Sequence, residues 1–338
     1  MKILFIGGTG TISNSVSELL LAQGHELWLI NRGNNRTPQG AHAIVADINN
    51  EADVLQKLQG MQFDVVADFI AYGPVQLQRD YRLFKSRTRQ FVYISSASAY
   101  QKPAANWLMT ESTPLYNPYW KYSQDKIAGE ELLMKWYREE GFPVTIVRPS
   151  HTYDCRKAPL GVTGAKGSYQ VLKRMKEGKP VIIQGDGTSL WTLTHSRDFA
   201  KGFVGLLGNA HAIGEVVQIT GDEALTWNQI YQIIADVMGV PLKAVHVPSD
   251  LLEASTPAGN NGWLYGDKAN CALFDNTKIK RLVPGFTATI RFDQGIRETI
   301  EHVFSHPECQ IEDPQMDAWF DRVIAAQTAA IEAVRQAK

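Results

Sequence analysis

Short apolar runs alternate with helix-length segments along the first 150 residues. The runs are rich in Val and Ile and read KILFIG, HELWLIN, AHAIVAD, FDVVADFIA, QFVYISS and FPVTIVRP. Segments such as SNSVSELLLAQG, and a long helical stretch from about 118 to 140, separate them. Strands that alternate with helices in this way predict a parallel sheet with helices on both faces. We therefore predict an α/β fold, with a doubly wound (Rossmann) NAD(P)-binding domain over residues 1–150.

The pattern changes after Pro149. Gly and Lys accumulate in KAPLGVTGAKGSYQVLKRMKEGKP, and the predicted elements become irregular. Further on, TWNQIYQIIADVMG opens with Thr226 and Gln229 in the spacing of a capping box and predicts an amphipathic helix. A last helix is predicted over PQMDAWFDRVIAAQTAAIEAVRQAK. We assign residues 151–338 to a mixed region that contributes late Rossmann elements and a smaller C-terminal substrate-binding subdomain.

Composition narrows the class of protein. Hydrophobic residues make up 44% and charged residues 20% of the 338 residues, which is typical of a packed globular protein. Lys and Arg number 34 against 35 Asp and Glu, so the formal net charge of -1 makes a nucleic-acid partner unlikely. No apolar stretch approaches the roughly 18 residues of a membrane span, and KILFI is too short for the core of a signal peptide.

The cysteines Cys155, Cys271 and Cys309 lie far apart and form no CxxC pair. This spacing indicates neither a disulfide framework nor a zinc site, and no His, Cys, Asp or Glu cluster has the spacing of metal ligands. We therefore predict no metal, no association with a membrane and a cytoplasmic location.

Three glycines, Gly7, Gly8 and Gly10, stand between the first apolar run and the first helical segment. A glycine cluster at this place allows either a plain tight turn or the close approach of a cofactor pyrophosphate to the backbone, next to the amides of a helix N-terminus. The position inside a strand–helix–strand unit favours the dinucleotide. Ser13 takes the place where a third glycine would allow close helix packing.

The end of the second strand discriminates between the two nicotinamide cofactors. An acidic residue there would hold the adenosine ribose, but the chain reads LINRGNNR, with Asn31, Arg32 and nearby Arg36. Guanidinium groups suit a 2′-phosphate, so NADP is favoured over NAD. Asp47, after AHAIVA, is predicted either to accept a hydrogen bond from the adenine amino group or to begin a helix as its N-cap.

Tyr122 and Lys126 are four residues apart and therefore share one face of a helix. A nearby cation stabilises a phenolate and lowers the pKa of a tyrosine towards the range of a general acid or base. The same spacing recurs at three other Tyr/Lys pairs, Tyr81/Lys85, Tyr153/Lys157 and Tyr169/Lys173. Only Tyr122 follows a strand that ends in hydroxyls, FVYISSAS, so we predict that this pair is the functional one.

Together these motifs resemble the extended and atypical short-chain dehydrogenase/reductases, the NAD(P)-dependent epimerase/dehydratase family, over nearly the whole chain. The resemblance rests on GGTGTIS, VYISSASAY, the Tyr122/Lys126 pair and VRPS. Within this family, the chain most resembles the chloroplast stem-loop-binding-protein-like branch and its bacterial relatives. This resemblance rests on GGTGTIS, NRG, GDGTSLWTLTHSRDFA and ITGDEALTW.

This resemblance implies an oxidoreductase mechanism. Tyr122 exchanges a proton with a substrate hydroxyl or carbonyl, and Ser96, four residues before Tyr100, is the catalytic hydroxyl, with Ser95 as the alternate. Lys126 holds the nicotinamide ribose and lowers the pKa of Tyr122, while hydride moves to or from the nicotinamide. The residues expected to contact the cofactor are Gly7, Thr9, Gly10, Thr11, Ile12, Asn31, Arg32, Arg36, Asp47, Ala71, Tyr72, Lys126 and Pro149. For Tyr72, an aromatic lid over a core is the alternative.

Departures from the family pattern bear on the substrate. The Asp-Glu pair of dehydratases is replaced by Ala97 and Ser98, and the arginine that clamps a nucleotide diphosphate is replaced by Trp191. A 4,6-dehydratase is therefore disfavoured, and a neutral or monophosphorylated sugar-like polyol is as plausible as a nucleotide sugar. The residues expected to contact substrate are Ser98, Tyr153, Trp191 and His195.

Two functions follow. The first is an NAD(P)-dependent oxidoreductase or epimerase that acts on a sugar-like hydroxyl or carbonyl through Ser96, Tyr122 and Lys126. The alternative is an RNA-binding or cofactor-sensing protein on the same fold with little or no turnover. Pairing of family members through the Tyr122 helix implies a possible homodimer.

Overall fold

The computed structural model describes residues 1–34, 37–257 and 261–337. Its strands are β1 (Lys2–Ile6), β2 (Glu26–Asn31), β3 (His42–Val45), β4 (Val65–Asp68), β5 (Phe91–Ile94), β6 (Leu108–Met109), β7 (Val144–Pro149), β8 (His151–Tyr153), β9 (Val181–Gln184), β10 (Leu190–His195), β11 (Val216–Ile219), β12 (Ala224–Thr226), β13 (Ala244–Val247) and β14 (Leu273–Phe274). Its α-helices are α1 (Thr11–Ala22), α2 (Glu51–Lys57), α3 (Pro74–Phe84), α4 (Lys121–Glu140), α5 (Tyr169–Lys176), α6 (Ser196–Leu206), α7 (Trp227–Met238), α8 (Ser249–Ser255), α9 (Thr277–Leu282), α10 (Phe292–Ser305) and α11 (Pro314–Gln336).

A seven-stranded parallel sheet forms the centre of the fold, in the order β11-β7-β5-β4-β1-β2-β3. All six apolar runs of the first 150 residues are strands of this sheet, which confirms the predicted doubly wound fold. The strand order reverses beside β1, and the carboxyl ends of β1 and β4 meet there, where open parallel sheets bind ligands.

Both faces of the sheet are buried, because successive side chains of a strand point to opposite faces. Ile3 and Phe5 of β1 pack into one core with α1 and α6, whereas Leu4 and Ile6 pack into the other core with α3 and α4. A strand buried on both faces has no polar positions to alternate with, which explains its continuous apolar run.

The chain after residue 150 divides between two places. β11 joins the large sheet at its edge, and α6 covers the sheet beside α1. The other strands of this part form a three-stranded sheet, β12-β10-β8, and the pair β13-β9, and β14 pairs with the earlier strand β6, around a separate apolar core. The predicted capping box is present at α7, where Gln229 N–H donates to Thr226 Oγ1 (3.1 Å). Within the three described segments, no helix is both long and apolar enough to cross a membrane.

Candidate active site

The loop between β1 and α1 contains Gly7, Gly8 and Gly10, so its backbone at the carboxyl edge of the sheet is not covered by side chains at these positions. Gly7 and Gly8 have φ angles of +96° and +103°, a region that favours glycine. A Cβ on Gly8 would lie 2.4 Å from Leu29 Cδ2, and one on Gly7 2.9 Å from Ile70 Cγ2. The fold therefore requires glycine at both positions, and a ligand can approach this backbone closely.

Ser13 occupies the position where a third glycine would allow close helix packing, and its hydroxyl has a structural role there. Its hydroxyl accepts a hydrogen bond from Gly10 N–H (2.9 Å) and thereby satisfies a backbone amide at the start of α1. Its side chain is buried, so the helix still packs closely. Thr11 and Ile12 form the first turn of α1, next to the Gly10 N-cap.

A cavity of about 340 Å³ opens beside this loop, at the ends of β1, β2 and β3. Five of the predicted cofactor residues line it, namely Gly7, Thr9, Asn31, Arg32 and Asp47. The Asn31 amide nitrogen is buried without a hydrogen-bond acceptor among the described residues, and Arg32 is exposed. Arg36, the second predicted arginine, lies outside the described residues.

The Asp47 carboxylate is oriented by hydrogen bonds from Asn49, and it does not cap a helix. Its Oδ1 accepts hydrogen bonds from Asn49 N–H (3.0 Å) and Asn49 Nδ2 (3.1 Å). The N-cap of α2 is Asn50, so the alternative role of Asp47 as a helix N-cap is wrong. The carboxylate remains at the cavity, where an adenine amino group would need an acceptor.

Tyr122 and Lys126 lie on the first turns of α4, facing the end of β5. Lys126 Nζ donates to the carbonyls of Ala71 and Ile94, each at 2.7 Å, and lies 5.7 Å from the centroid of the Tyr122 ring. These two carbonyls follow β4 and end β5, so the ammonium group bridges neighbouring strands. Tyr72 lies edge-on to Tyr122 at 6.0 Å and is 58% exposed, which is inconsistent with a buried lid.

The pKa of Tyr122 differs from the expectation. Burial raises it to about 12, although a hydrogen bond with Ser96 acts in the opposite direction. Burial also lowers the pKa of Lys126 to about 8, against the attraction of Asp68 and Glu130. The predicted lowering of the Tyr122 pKa by Lys126 is therefore wrong, because burial of the phenol outweighs the other contributions, while Lys126 is itself desolvated and its hydrogen bonds go to the backbone.

The structure separates the two candidate serines. Ser95 is 1% exposed and donates to Glu130, which also forms a buried ion pair with Arg148 (2.5 Å). Ser96 instead lies beside Tyr122, and its hydroxyl is 2.9 Å from that of Ser98, which accepts from Ser123 (2.8 Å). Ser95 thus belongs to a buried polar cluster and Ser96 to the site.

Ser96 and Tyr122 share a second cavity, of about 200 Å³, which we call the reaction cavity. Ser98, Pro149 and Trp191, three further predicted residues, also line it. The rest of its described lining consists of Ala97, Lys102, Trp120, Ser150, His151, Asp267, Lys268, Ala272 and Phe274. Pro149, expected to contact cofactor, therefore lies in the wall of the reaction cavity.

Tyr153 and His195, expected to contact substrate, are not in the described lining of the reaction cavity. Tyr153 and His195 pair in register across β8 and β10. Tyr153 is two residues further along β8 than His151, which lines the cavity, so it lies roughly 6–7 Å further along the strand. The rings of Tyr153 and His195 pack edge-on at 5.1 Å, and His195 Nδ1 accepts from Arg197 N–H (3.2 Å) to cap α6. Tyr153 Oη and His195 Nε2 are buried without a hydrogen-bond partner among the described residues, so a substrate contact for these two residues stays a prediction.

Sequence reasoning missed several polar residues of the reaction cavity. Lys102, His151, Asp267 and Lys268 come from segments with no recognisable motif, and only the folded chain brings them to Tyr122. Burial, together with Lys268 and Lys157, holds the pKa of His151 well below its usual range. Its Nδ1 accepts from Trp191 Nε1 (3.1 Å), so the neutral ring carries its proton on Nε2.

Two further residues support the cofactor loops. Asp68, fully buried at the end of β4, accepts hydrogen bonds from Ile70 N–H (2.6 Å) and Ala71 N–H (2.9 Å) and so shapes the loop that carries Tyr72. Arg156 Nη1 donates to the carbonyl of Thr9 (3.3 Å), which places a guanidinium beside the glycine loop. Neither residue has a sequence signal of its own.

The sheet, its glycine loop and its carboxyl-edge cavities define a dinucleotide-binding enzyme of the short-chain dehydrogenase/reductase type. The sequence model of the NAD dependent epimerase/dehydratase family matches residues 3–220, so the chain belongs to this family, as the motifs predicted. It is accordingly an NAD(P)-dependent enzyme.

The chain is similar to several proteins of known name and to solved structures. The chain is 26% identical over 294 residues to 2'-dehydrokanamycin reductase from Streptomyces kanamyceticus, covering 85% of this chain and 80% of the reductase. It is 26% identical over 255 residues to the chloroplast stem-loop binding protein of 41 kDa b from Arabidopsis thaliana, covering 71% of this chain and 64% of that protein. UDP-glucuronic acid 4-epimerase from Bacillus cereus, solved with UDP-glucuronic acid and NAD, has the same fold, with a TM-score of 0.71, 22% identity and coverage of 90% of this chain and 99% of that chain.

Proposed function

We propose that this protein is a reductase or epimerase that moves hydride between a nicotinamide cofactor and the carbinol or carbonyl carbon of a sugar-like substrate. The observation that carries the proposal is that Ser96 and Tyr122 line the same reaction cavity and interact with each other, with Lys126 one helical turn further along α4. Two hydroxyls that converge on one cavity can bind the same substrate oxygen.

Tyr122 is the proton donor in this proposal. With a pKa near 12, its phenol is protonated at neutral pH and can donate to a carbonyl oxygen as that oxygen gains charge. Ser96 holds the same oxygen by a second hydrogen bond. Ser98 and Ser123 continue the hydrogen-bonded chain behind Ser96 and thereby fix the orientation of its hydroxyl.

Lys126 has a positioning and electrostatic role. Its two backbone hydrogen bonds use two of the three ammonium protons, so one donor remains for a ribose hydroxyl. A positive charge held near the phenol stabilises the phenolate that proton donation leaves behind.

The residues beside β1–β3 fit a dinucleotide. The glycine cradle admits a pyrophosphate, and the buried amide nitrogen of Asn31 lacks an acceptor within the described ranges, which a ribose or phosphate oxygen would supply. Arg32, at the same cavity with no carboxylate paired to it in the described chain, favours NADP over NAD. When bound, the nicotinamide supplies or accepts the hydride.

A sugar-like substrate is supported by the relatives and by the size of the cavity. The reaction cavity, at about 200 Å³, is below the roughly 300–1,000 Å³ that holds a drug-sized ligand, so it suits one sugar ring. Ala97 and Ser98 provide no acid or base for loss of water, which favours reduction or epimerisation over dehydration.

The test measures the turnover of Tyr122→Phe on a panel of keto sugars, with oxidation of NADPH as the readout. We expect turnover to fall by about 10²–10⁴-fold, the contribution of a general acid, while NADPH affinity stays within about twofold. Tyr81→Phe is the matched control, because Tyr81 shares the Tyr/Lys spacing but lies on α3 against Lys85 and Glu140. Equal turnover by both variants would refute the role of Tyr122.

A further inference from the structure

We propose that the substrate carries an anionic group, a carboxylate or a phosphate, which binds the Lys102 and Lys268 ammonium groups in the reaction cavity. The proposal deepens the proposed function and rests on it. It names the chemical class of the substrate from the charges opposite Ser96 and Tyr122, and it makes Lys102 a specificity-determining residue.

Lys102 is the main observation. It is 2% exposed, among the largest fully buried side chains, and it lines the reaction cavity. Within the described residues, no carboxylate lies in ion-pair contact with its ammonium group, and Asp267 attracts this charge only from beyond that distance. A buried charge without a partner is costly, and lysines are almost never buried in this way unless they are paired. An anionic ligand in the cavity would provide the missing partner.

Lys268 adds a second cation to the same wall. Its Nζ lies 5.9 Å from the Trp191 ring and 5.7 Å from the Trp263 ring, and it contacts Asp267 at 3.5 Å. Trp191 occupies the position where relatives with nucleotide substrates were expected to carry an arginine. Lys268 therefore places a positive charge over the Trp191 indole, in place of the charge that an arginine at position 191 would carry.

The remaining polar groups of the wall do not cancel this charge. Asp267 forms its ion pair with Lys268 and is the only carboxylate in the described lining, so Lys102 leaves a net charge of about +1. His151 is neutral and presents an N–H donor, and Ser150 adds a hydroxyl. Donors and one uncompensated cation favour an anionic oxygen and disfavour an amino group on the substrate.

Size restricts the ligand further. Lys102 and Tyr122 line one cavity of about 200 Å³, so one sugar-sized molecule can place its anionic group and its reacting oxygen there together. A sugar acid or a sugar monophosphate meets this requirement.

The experiment is calorimetric titration of the full-length protein with D-glucuronate, D-glucose 6-phosphate, D-glucose and D-glucosamine. We expect the acid or the phosphate to bind about tenfold or more tightly than glucose, the order of one hydrogen bond to a charged group, and glucosamine to bind most weakly. The relative affinity of glucuronate and glucose 6-phosphate distinguishes a carboxylate from a phosphate site.

Lys102→Met tests the residue itself. It should weaken binding of the anion about tenfold or more and so abolish the preference over glucose, without lowering the thermal midpoint, because it removes a buried charge that lacks an ion-pair partner. Lys135→Met, an exposed lysine on α4, is the control and should keep the preference. Equal affinity for glucose and both anions, no binding of either anion, or a preference that survives Lys102→Met would each overturn the proposal. Loss of turnover in Tyr122→Phe does not affect these binding measurements, so the two proposals can fail separately.

Discussion

Lys126→Met is expected to change how the free energy of unfolding depends on pH. Lys126 is 4% exposed, and burial lowers the pKa of its ammonium group from 10.5 to about 8. Between these two values the unfolded chain binds a proton that the folded protein does not, so stability rises with pH in this range. Below pH 8 the charge is present in both states, and folding has to desolvate it.

The magnitude follows from the two pKa values. The interval from about 8 to 10.5, at about 1.4 kcal/mol per pKa unit, amounts to about 3 kcal/mol. Relative to Lys126→Met, the wild-type protein should therefore gain about 3 kcal/mol as pH rises from below 8 to above 10.5, most of it before pH 10. The neutral amine can still donate to the carbonyls of Ala71 and Ile94, so those bonds should contribute little to the pH dependence of the difference.

Urea denaturation of both proteins at pH 7, 8, 9 and 10 measures this difference. Lys135→Met, exposed on the same helix, serves as the control and should show a difference within about 0.5 kcal/mol at every pH. A pH-independent difference for Lys126→Met would refute the burial of a charged ammonium beside Tyr122. So would a wild-type protein that loses stability relative to the variant as pH rises.

Three substitutions test individual residues in and around the two cavities. Ser96→Ala should reduce turnover by about 10²-fold, as expected for loss of one hydrogen-bond donor to a charged oxygen. Ser95→Ala should keep turnover and lower the free energy of unfolding by about 1–2 kcal/mol, because it removes the hydrogen bond to Glu130. Steady-state kinetics and urea denaturation of both variants measure these effects, and the reverse pattern would exchange the roles of the two serines. Arg32→Ala should weaken NADP binding by about tenfold and leave NAD binding unchanged, because only the 2′-phosphate uses its charge; calorimetry checks this, and an equal loss for both cofactors would contradict it.

The sequence was sufficient for the large sheet because its signals are local. Apolar runs such as β4 and β5, buried on both faces, are recognisable without any knowledge of their neighbours. The glycine loop and the Tyr122/Lys126 pair were recognisable for the same reason, since each is a short motif at a strand end.

The far wall of the reaction cavity could not be predicted in this way. Lys102, His151 and Lys268 are brought together by tertiary packing, and no spacing between them reports it. The pKa of Tyr122 depends on how deeply α4 is buried, which the Tyr/Lys spacing alone does not contain. Strand alternation gives the face of Tyr153 but not how far along the strand the cavity extends, so the sequence could not place this residue relative to the cavity lining.

The most direct test of the central claim is calorimetric titration of cofactor-free protein with NADP, NADPH, NAD and NADH in parallel. The glycine cradle, the Asn31 amide and Arg32 predict micromolar binding, with the phosphorylated pair bound more tightly. Failure of all four to bind would contradict the claim that this edge of the sheet holds a nicotinamide cofactor next to Tyr122.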